Sequence, residues 1–184
     1  GNPLPTFTWL INQIPINSSL YTVSPNTSEL RLPLEKRFHN GQLTCQVHNQ
    51  ALDHPLLTSR LLNIQYKPEI NLRYGQSIVT NLNLLVIENE RLTLECQIQA
   101  NPSTIEPIKW LKNGASMPGI HSPSLVIQTV KRNDEGEYTC LTSNSIGRSQ
   151  SSVHIRVQCK IDIIELTETN NEKNLSFRCA NCSS

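Results

Sequence analysis

The residues able to do chemistry in this chain are six cysteines and five histidines. Cys179-Ala180-Asn181-Cys182 is a CxxC, and Cys159 and His154 can be drawn beside it as a zinc set or a dithiol redox centre. A zinc ribbon needs a second knuckle, and the chain has none. A thioredoxin-like dithiol needs a helix after the motif and a βαβ setting, and neither is legible here. His39, His48, His54, His121 and His154 are scattered, and none shares a setting with a serine and an aspartate as a nucleophilic triad requires. No Gly-x-Ser-x-Gly, no His-Glu-x-x-His and no phosphate-cradling glycine loop occurs, and seven glycines leave little material for one. No catalytic residue, no metal site and no cofactor is therefore expected. The chain reads as a non-enzyme, with its histidines on surfaces and sheets.

A different constellation organises the sequence. Asp134-Glu135-Gly136-Glu137-Tyr138-Thr139-Cys140 reads Asp-x-Gly-x-Tyr-x-Cys. Trp110 lies 30 residues before Cys140, and Cys96 lies 14 residues before Trp110. Together these are the core of an immunoglobulin domain. There two strands of facing sheets carry the cysteines, a tryptophan packs on their bridge, and the tyrosine hydroxyl ties back to the preceding corner. On this reading Cys96 and Cys140 form a disulfide, with Trp110 and Tyr138 in the core. In the chain-entropy account, closing that loop stabilises the fold by roughly 4 kcal/mol.

The elements that must carry this framework follow from period-two alternation. Leu92, Leu94, Cys96 and Ile98 alternate with polar residues as strand B, Ile108 and Trp110 face inward on strand C, and Asn113-Gly114 signals a hairpin turn. Leu125 and Ile127 belong to strand E, and Val153, Ile155 and Val157 to strand G. The short stretch from Lys112 to Ser124 leaves no room for the extra strands of a variable-type domain, so an intermediate or constant-type set is expected. Upstream, Phe7-Thr8-Trp9-Leu10 reads as strand C of a first domain entered without its strand B, with Trp9 in its core and Cys45 on its strand F. Leu43 occupies the tyrosine-corner position there. Leu30, Leu32 and Leu34 alternate as strand E, and Leu61 to Gln65 reads as strand G. Asn63 to Ile70 is repeated by Arg156 to Ile163, a period of about one immunoglobulin domain. The expected fold is all-β: tandem immunoglobulin-like sandwiches with truncated domains at both ends. Residues 1–66 are domain one, 67–159 a complete domain two, and 160–184 the start of domain three. Tyr66-Lys67-Pro68-Glu69 is a short, stiff joint between the first two. Cys179 falls on strand B of domain three. Cys159 either bridges to Cys182 within that domain or pairs outside the chain.

The 184 residues are 37% hydrophobic and 17% charged, with a net charge of +1, so no field points to nucleic acid or acidic lipid. The longest apolar cluster, Leu84-Leu85-Val86-Ile87, is far short of a membrane span. The disulfide calls for an oxidising compartment. Asn17, Asn26, Asn174 and Asn181 each begin an Asn-x-Ser/Thr acceptor and are the expected glycosylation sites. No signal sequence starts the chain, which reads as a piece of a longer extracellular protein. It is either the outer part of a plasma-membrane protein, held by an anchor outside the fragment, or a secreted one.

Two stretches resemble the F–G end and joint of nectin-like and nephrin-like adhesion molecules: Cys45-Gln46-Val47-His48-Asn49-Gln50-Ala51-Leu52 and Leu61-Leu62-Asn63-Ile64-Gln65-Tyr66-Lys67-Pro68. Leu72-Arg73-Tyr74-Gly75-Gln76-Ser77, Glu95-Cys96-Gln97-Ile98-Gln99-Ala100-Asn101-Pro102, Ser124-Leu125-Val126-Ile127-Gln128 and Ser143-Asn144-Ser145-Ile146-Gly147 are similar to the arthropod sidestep family. The resemblance departs at Val157-Gln158-Cys159-Lys160-Ile161 and at Glu88-Asn89-Glu90. It implies a cell-surface adhesion or axon-guidance receptor that recognises another immunoglobulin-superfamily protein. The alternative is a ligand-binding segment of a signalling receptor such as a receptor tyrosine kinase. Strand alternation places Lys109, Leu111, Thr139, Leu141, His154 and Arg156 on the open face of one sheet. That face, with two adjacent exposed leucines rimmed by bases, is expected to contact a partner protein or a second copy of the chain.

Overall fold

A computed structural model describes residues 3–79, 83–159, 161–169 and 172–179, with side chains described through Cys159. The fold is all-β, and its contacts divide into two compact units, Gly1–Tyr66 and Lys67–Ser184.

The first unit contains β1 (Thr6–Ile11), β2 (Ile14–Pro15), β3 (Tyr21–Ser24), β4 (Thr27–Leu30), β5 (Gln42–His48) and β6 (Leu56–Leu61). One sheet runs β2-β1-β5-β6, and β3 and β4 form a separate ribbon. The β1–β2 turn is made by Asn12 and Gln13, both at positive φ (50° and 68°), the conformation a two-residue hairpin demands. Asn12 also accepts the Gln42 amide at 2.9 Å, fixing the turn to β5. Trp9 stands directly opposite Cys45, and its indole N–H donates to Ser28 of the ribbon at 3.0 Å. The Trp9 side of the sheet is therefore the side the ribbon covers.

Two expectations fail in this unit. Strand E stops at Leu30, and Leu34 is 72% exposed. The partner segment, Ser18–Leu20, is a 3-10 helix and offers no strand to pair with, so the leucine alternation runs past the end of the strand. The last strand is β6, Leu56–Leu61, rather than Leu61 to Gln65. Every residue of β6 is exposed, so it carries no burial alternation to read.

The chain enters the second unit without a spacer, along β7 (Tyr66–Tyr74). There follow β8 (Ser77–Ile78), β9 (Asn83–Ile87), β10 (Leu92–Asn101), β11 (Lys109–Lys112), β12 (Ala115–Ser116) and β13 (Ser124–Ile127). After them come β14 (Gly136–Asn144) and β15 (Gly147–Gln158). One sheet is β13-β10-β7-β8 and the other β12-β11-β14-β15-β9. The chain thus changes sheets between β8 and β9, and β9 runs parallel to β15. This is the intermediate strand set of an immunoglobulin sandwich. Between the sheets lie Leu72, Val86, Leu92, Leu94, Trp110, Leu125, Val130, Val153 and Ile155. Asn113 and Gly114 (φ 50° and 79°) make the β11–β12 turn that the Asn-Gly pair predicts. A final ribbon pairs β16 (Ile161–Thr169) with β17 (Glu172–Cys179), with a register irregularity between Asp162 and Glu165.

Candidate functional site

The cysteine–tryptophan–tyrosine framework is assembled by three strands. β10 and β14 bring Cys96 and Cys140 into a disulfide, with Cα atoms 6.3 Å apart. β11 sets Trp110 directly opposite Cys140, fully buried, and its indole N–H donates to the Ser122 carbonyl at 3.0 Å. Tyr138 lies two residues before Cys140, which puts both on the inner face. Its hydroxyl donates to the Asp134 carbonyl at 2.8 Å. Burial pushes the Tyr138 phenol above its ordinary pKa, and the Lys112 ammonium, 5.4 Å from the ring centroid, pulls the other way. Lys112 also approaches the Asp134 carboxylate at 3.6 Å.

The Asp-x-Gly lead-in has an equally local cause. Gly136 sits at φ 140°, and a Cβ there would fall 2.5 Å from Oδ1 of Asn113. That same oxygen accepts the Glu137 amide at 2.8 Å. The turn after β11 and the start of β14 are thus locked together by an amide side chain occupying the place of a missing methyl. The aspartate closes the corner by accepting the Lys131 amide at 2.8 Å.

The six residues predicted for an open contact face do not form it. Thr139 and Leu141 are 6% and 5% exposed, Leu111 and His154 are half-buried, and only Lys109 and Arg156 are exposed. β14 is the central strand of its sheet, so its outward residues are walled by neighbours. Leu141 lies between Lys109 and Gln150, and Thr139 lies between Leu111 and Ser152. Thr139 and Ser152 share a hydroxyl hydrogen bond of 2.8 Å. Leu141 forms the floor of a small depression bordered by Glu106, Lys109 and Arg148. What this face shows to solvent is polar, including a shallow groove lined by Asn83, Glu137, Ser152, His154 and Arg156.

Asn17 is exposed in the loop between β2 and β3, and its side chain accepts the amide of Ser19, the hydroxyl residue of its own acceptor triplet, at 3.0 Å. Asn26 is exposed at the β3–β4 turn. Asn174 lies on the backbone of β17, where side chains are not described, and Asn181 lies outside the described residues. Cys159 is disulfide-bonded and accepts a hydrogen bond from Arg132 at 3.1 Å, while Cys182 lies outside the described residues. Cys45 is a free, half-buried thiol, with its pKa raised by desolvation. Among the described residues no three His, Cys, Asp or Glu side chains gather into a metal-binding group.

Sequence reasoning missed the Trp9–Ser28 bond, whose signal was one serine in a polar stretch. It also missed the outer face of β2-β1-β5-β6. That face carries no Asp, Glu, Lys or Arg, a pattern visible only once the register is known.

The immunoglobulin domain family matches residues 67–144, so this stretch is an immunoglobulin domain. Human Cell adhesion molecule 1 is 30% identical over 143 residues, covering 76% of this chain and 30% of that protein. Nectin-4 of Xenopus tropicalis is 25% identical over 179 residues, covering 91% of this chain and 32% of the relative. The crystal structure of the mouse nectin-like molecule 4 ectodomain superposes with a TM-score of 0.62 at 23% identity, over 85% of this chain and 55% of that one. That likeness shows the fold. The chain spans about a third of the length of the curated relatives it matches. It is similar to immunoglobulin-domain cell adhesion molecules.

Proposed function

We propose that this chain is an extracellular protein-recognition segment of a cell-surface adhesion or axon-guidance receptor that binds another immunoglobulin-superfamily protein. The observation that carries the reading is the 30% identity to Cell adhesion molecule 1 over 143 residues, which extends beyond one domain and takes in the joint. The fold supports it. A disulfide-closed sandwich offers broad sheet faces, the form of a surface that binds proteins.

In this proposal 67–159 is one whole domain, and 1–66 and 160–184 belong to flanking domains of the same kind. The matching Trp9–Cys45 and Trp110–Cys140 registers support the first of these assignments. The disulfide and the exposed Asn17 and Asn26 acceptors support a secretory, extracellular residence. A sidestep-like guidance role is the finer form of the proposal.

The test displays the chain as an Fc fusion and applies it to cells that each express one immunoglobulin-superfamily adhesion protein. Saturable binding to at least one such line, absent from untransfected cells, is the expected result. Binding to none of the panel, together with capture by a secreted growth factor, would overturn the reading.

A further inference from the structure

β9 is the outermost strand of the sheet β12-β11-β14-β15-β9, and among the described residues no strand pairs with its far side. In a parallel ladder, successive residues turn their N–H and C=O alternately to one neighbour and to the other. The Glu88 amide donates to Gln158 at 2.7 Å, so Leu84, Val86 and Glu88 turn their groups to β15. β15 agrees from its own side: the Val157 amide points away from β9 and donates to the Glu135 carboxylate at 3.1 Å. Asn83, Leu85 and Ile87 therefore turn their amides over the open edge. Leu84 and Val86 pack against the core, which leaves Leu85 and Ile87 on the outer face, 56% and 36% exposed.

Exposed sheet edges are normally blunted by a lysine, a proline or a bulge. Asn83-Leu84-Leu85-Val86-Ile87 has none of these, and its register with β15 is unbroken over all five pairs. Such an edge is built for strand addition, in which main-chain bonds hold the new strand and alternate side chains select it.

The neighbouring positions say what that strand carries. Arg156 lies directly opposite Leu85, is exposed, and makes no ion pair among the described residues. His154, opposite Asn83, already has Glu137 as its other cross-strand neighbour. A strand laid beside β9 stands two strand spacings from β15, about 10 Å. An arginine and a glutamate side chain together span that gap. β9 has no acidic residue from 83 to 87, so a second β9 laid along the edge brings Arg156 no carboxylate. We infer that the free edge of β9 takes an extended segment of a partner protein as a sixth strand of this sheet. Its outer-face side chains are apolar against Leu85 and Ile87, with an acidic one for Arg156. The inference rests on the protein-recognition reading and adds to it a surface and the chemistry of what that surface takes.

The experiment titrates the full chain, labelled with nitrogen-15, with the synthetic peptide acetyl-Thr-Val-Thr-Glu-Thr-Val-Thr-amide and with the same peptide carrying lysine for glutamate. The amide signals of Asn83, Leu85 and Ile87 should shift together and saturate, and the glutamate peptide should bind more tightly than the lysine one. Leu85→Pro removes an N–H that the β15 ladder does not use and puts a ring carbon in the path of the added strand. It should leave the thermal midpoint unchanged and weaken binding by about tenfold or more. Leu85→Glu, which keeps the backbone N–H at an exposed position, should also fail to bind the glutamate peptide. Arg156→Gln should bind both peptides equally. No shift at the three amides up to the solubility limit of the glutamate peptide overturns the inference. So does a folded Leu85→Pro variant that binds like wild type, or a charge preference that survives Arg156→Gln. A chain that sediments as a dimer through this edge, and loses the dimer in Leu85→Pro, overturns it in favour of a second copy. The Fc fusion separates the two readings. If it binds no line of the adhesion-protein panel while the peptide still binds the edge, the recognition reading falls and the edge stands. If it binds a line and the peptide result is negative, the edge alone falls.

Discussion

Gly136→Ala tests the account of the Asp-x-Gly corner. The backbone there is at φ 140°, a region L-residues rarely adopt, which costs about 1–3 kcal/mol. The new Cβ would lie 2.5 Å from Oδ1 and 2.8 Å from Nδ2 of Asn113, so that side chain must move. Moving it breaks the bond from the Glu137 amide, a loss of about 1 kcal/mol. The expected destabilisation is about 2–4 kcal/mol. It would be read as the urea midpoint and slope, followed by Trp110 fluorescence in a Trp9→Phe background. Asn113→Gly separates the two parts. Asn113 is at φ 50°, which glycine tolerates, and removing its side chain removes the clash. In that background Gly136→Ala should cost only the backbone part, so a double-mutant cycle should show coupling of about 1 kcal/mol or more. A Gly136→Ala variant within about 0.5 kcal/mol of wild type, or a cycle with no coupling, would refute the reasoning.

Tyr138→Phe removes the hydroxyl bond to Asp134 and should cost about 1 kcal/mol at neutral pH. The raised phenol pKa means the folded state keeps a proton that the unfolded chain loses near pH 10. The wild type should therefore lose stability as pH climbs above about 10, and the phenylalanine variant should lose less, as urea midpoints at about pH 8 and about pH 11 would show. Chain made by secretory cells should lose mass on treatment with an N-glycosidase, and Asn17→Gln should remove one glycan's worth of that shift. An unchanged mass would count against the extracellular proposal.

The second unit was legible because its signals are local and redundant. Cys96, Trp110, Tyr138 and Cys140 each sit in an alternating strand, and the register that buries one of them buries the rest. The first unit was harder for a reason visible in β6. Its six residues are all exposed, so the period-two burial signal has nothing to mark. The leucines at 30, 32 and 34 alternate, yet the ladder ends at Leu30, where its partner turns into the 3-10 helix Ser18–Leu20, and local structure outweighs pattern. The predicted contact face failed differently. Alternation correctly gave the side of the sheet to which Leu141 points, but not that a central strand's outward residues are walled by the strands beside it. The charge-free face of the first unit was invisible for the opposite cause. It is assembled from residues 10 to 61 by pairing, and no window of sequence shows it.

The crossing from β8 to β9 also bears on how the second unit carries a load. β9 lies parallel to β15 over five residue pairs, from Asn83 opposite His154 to Ile87 opposite Gln158, and the Glu88 amide adds a bond to Gln158 at 2.7 Å. β9 lies early in this sandwich, and β15 is its last strand. Tension between the two ends of the sandwich pulls parallel neighbours along their own axes in opposite directions. The ladder is then strained in shear, all its bonds sharing the force, instead of being unzipped one bond at a time as a hairpin would be. Behind it, the Cys96–Cys140 bridge caps how far the chain can extend, because the 44 positions it spans cannot be drawn straight. Under such a pull, the parallel ladder and the bridge together resist extension of this sandwich.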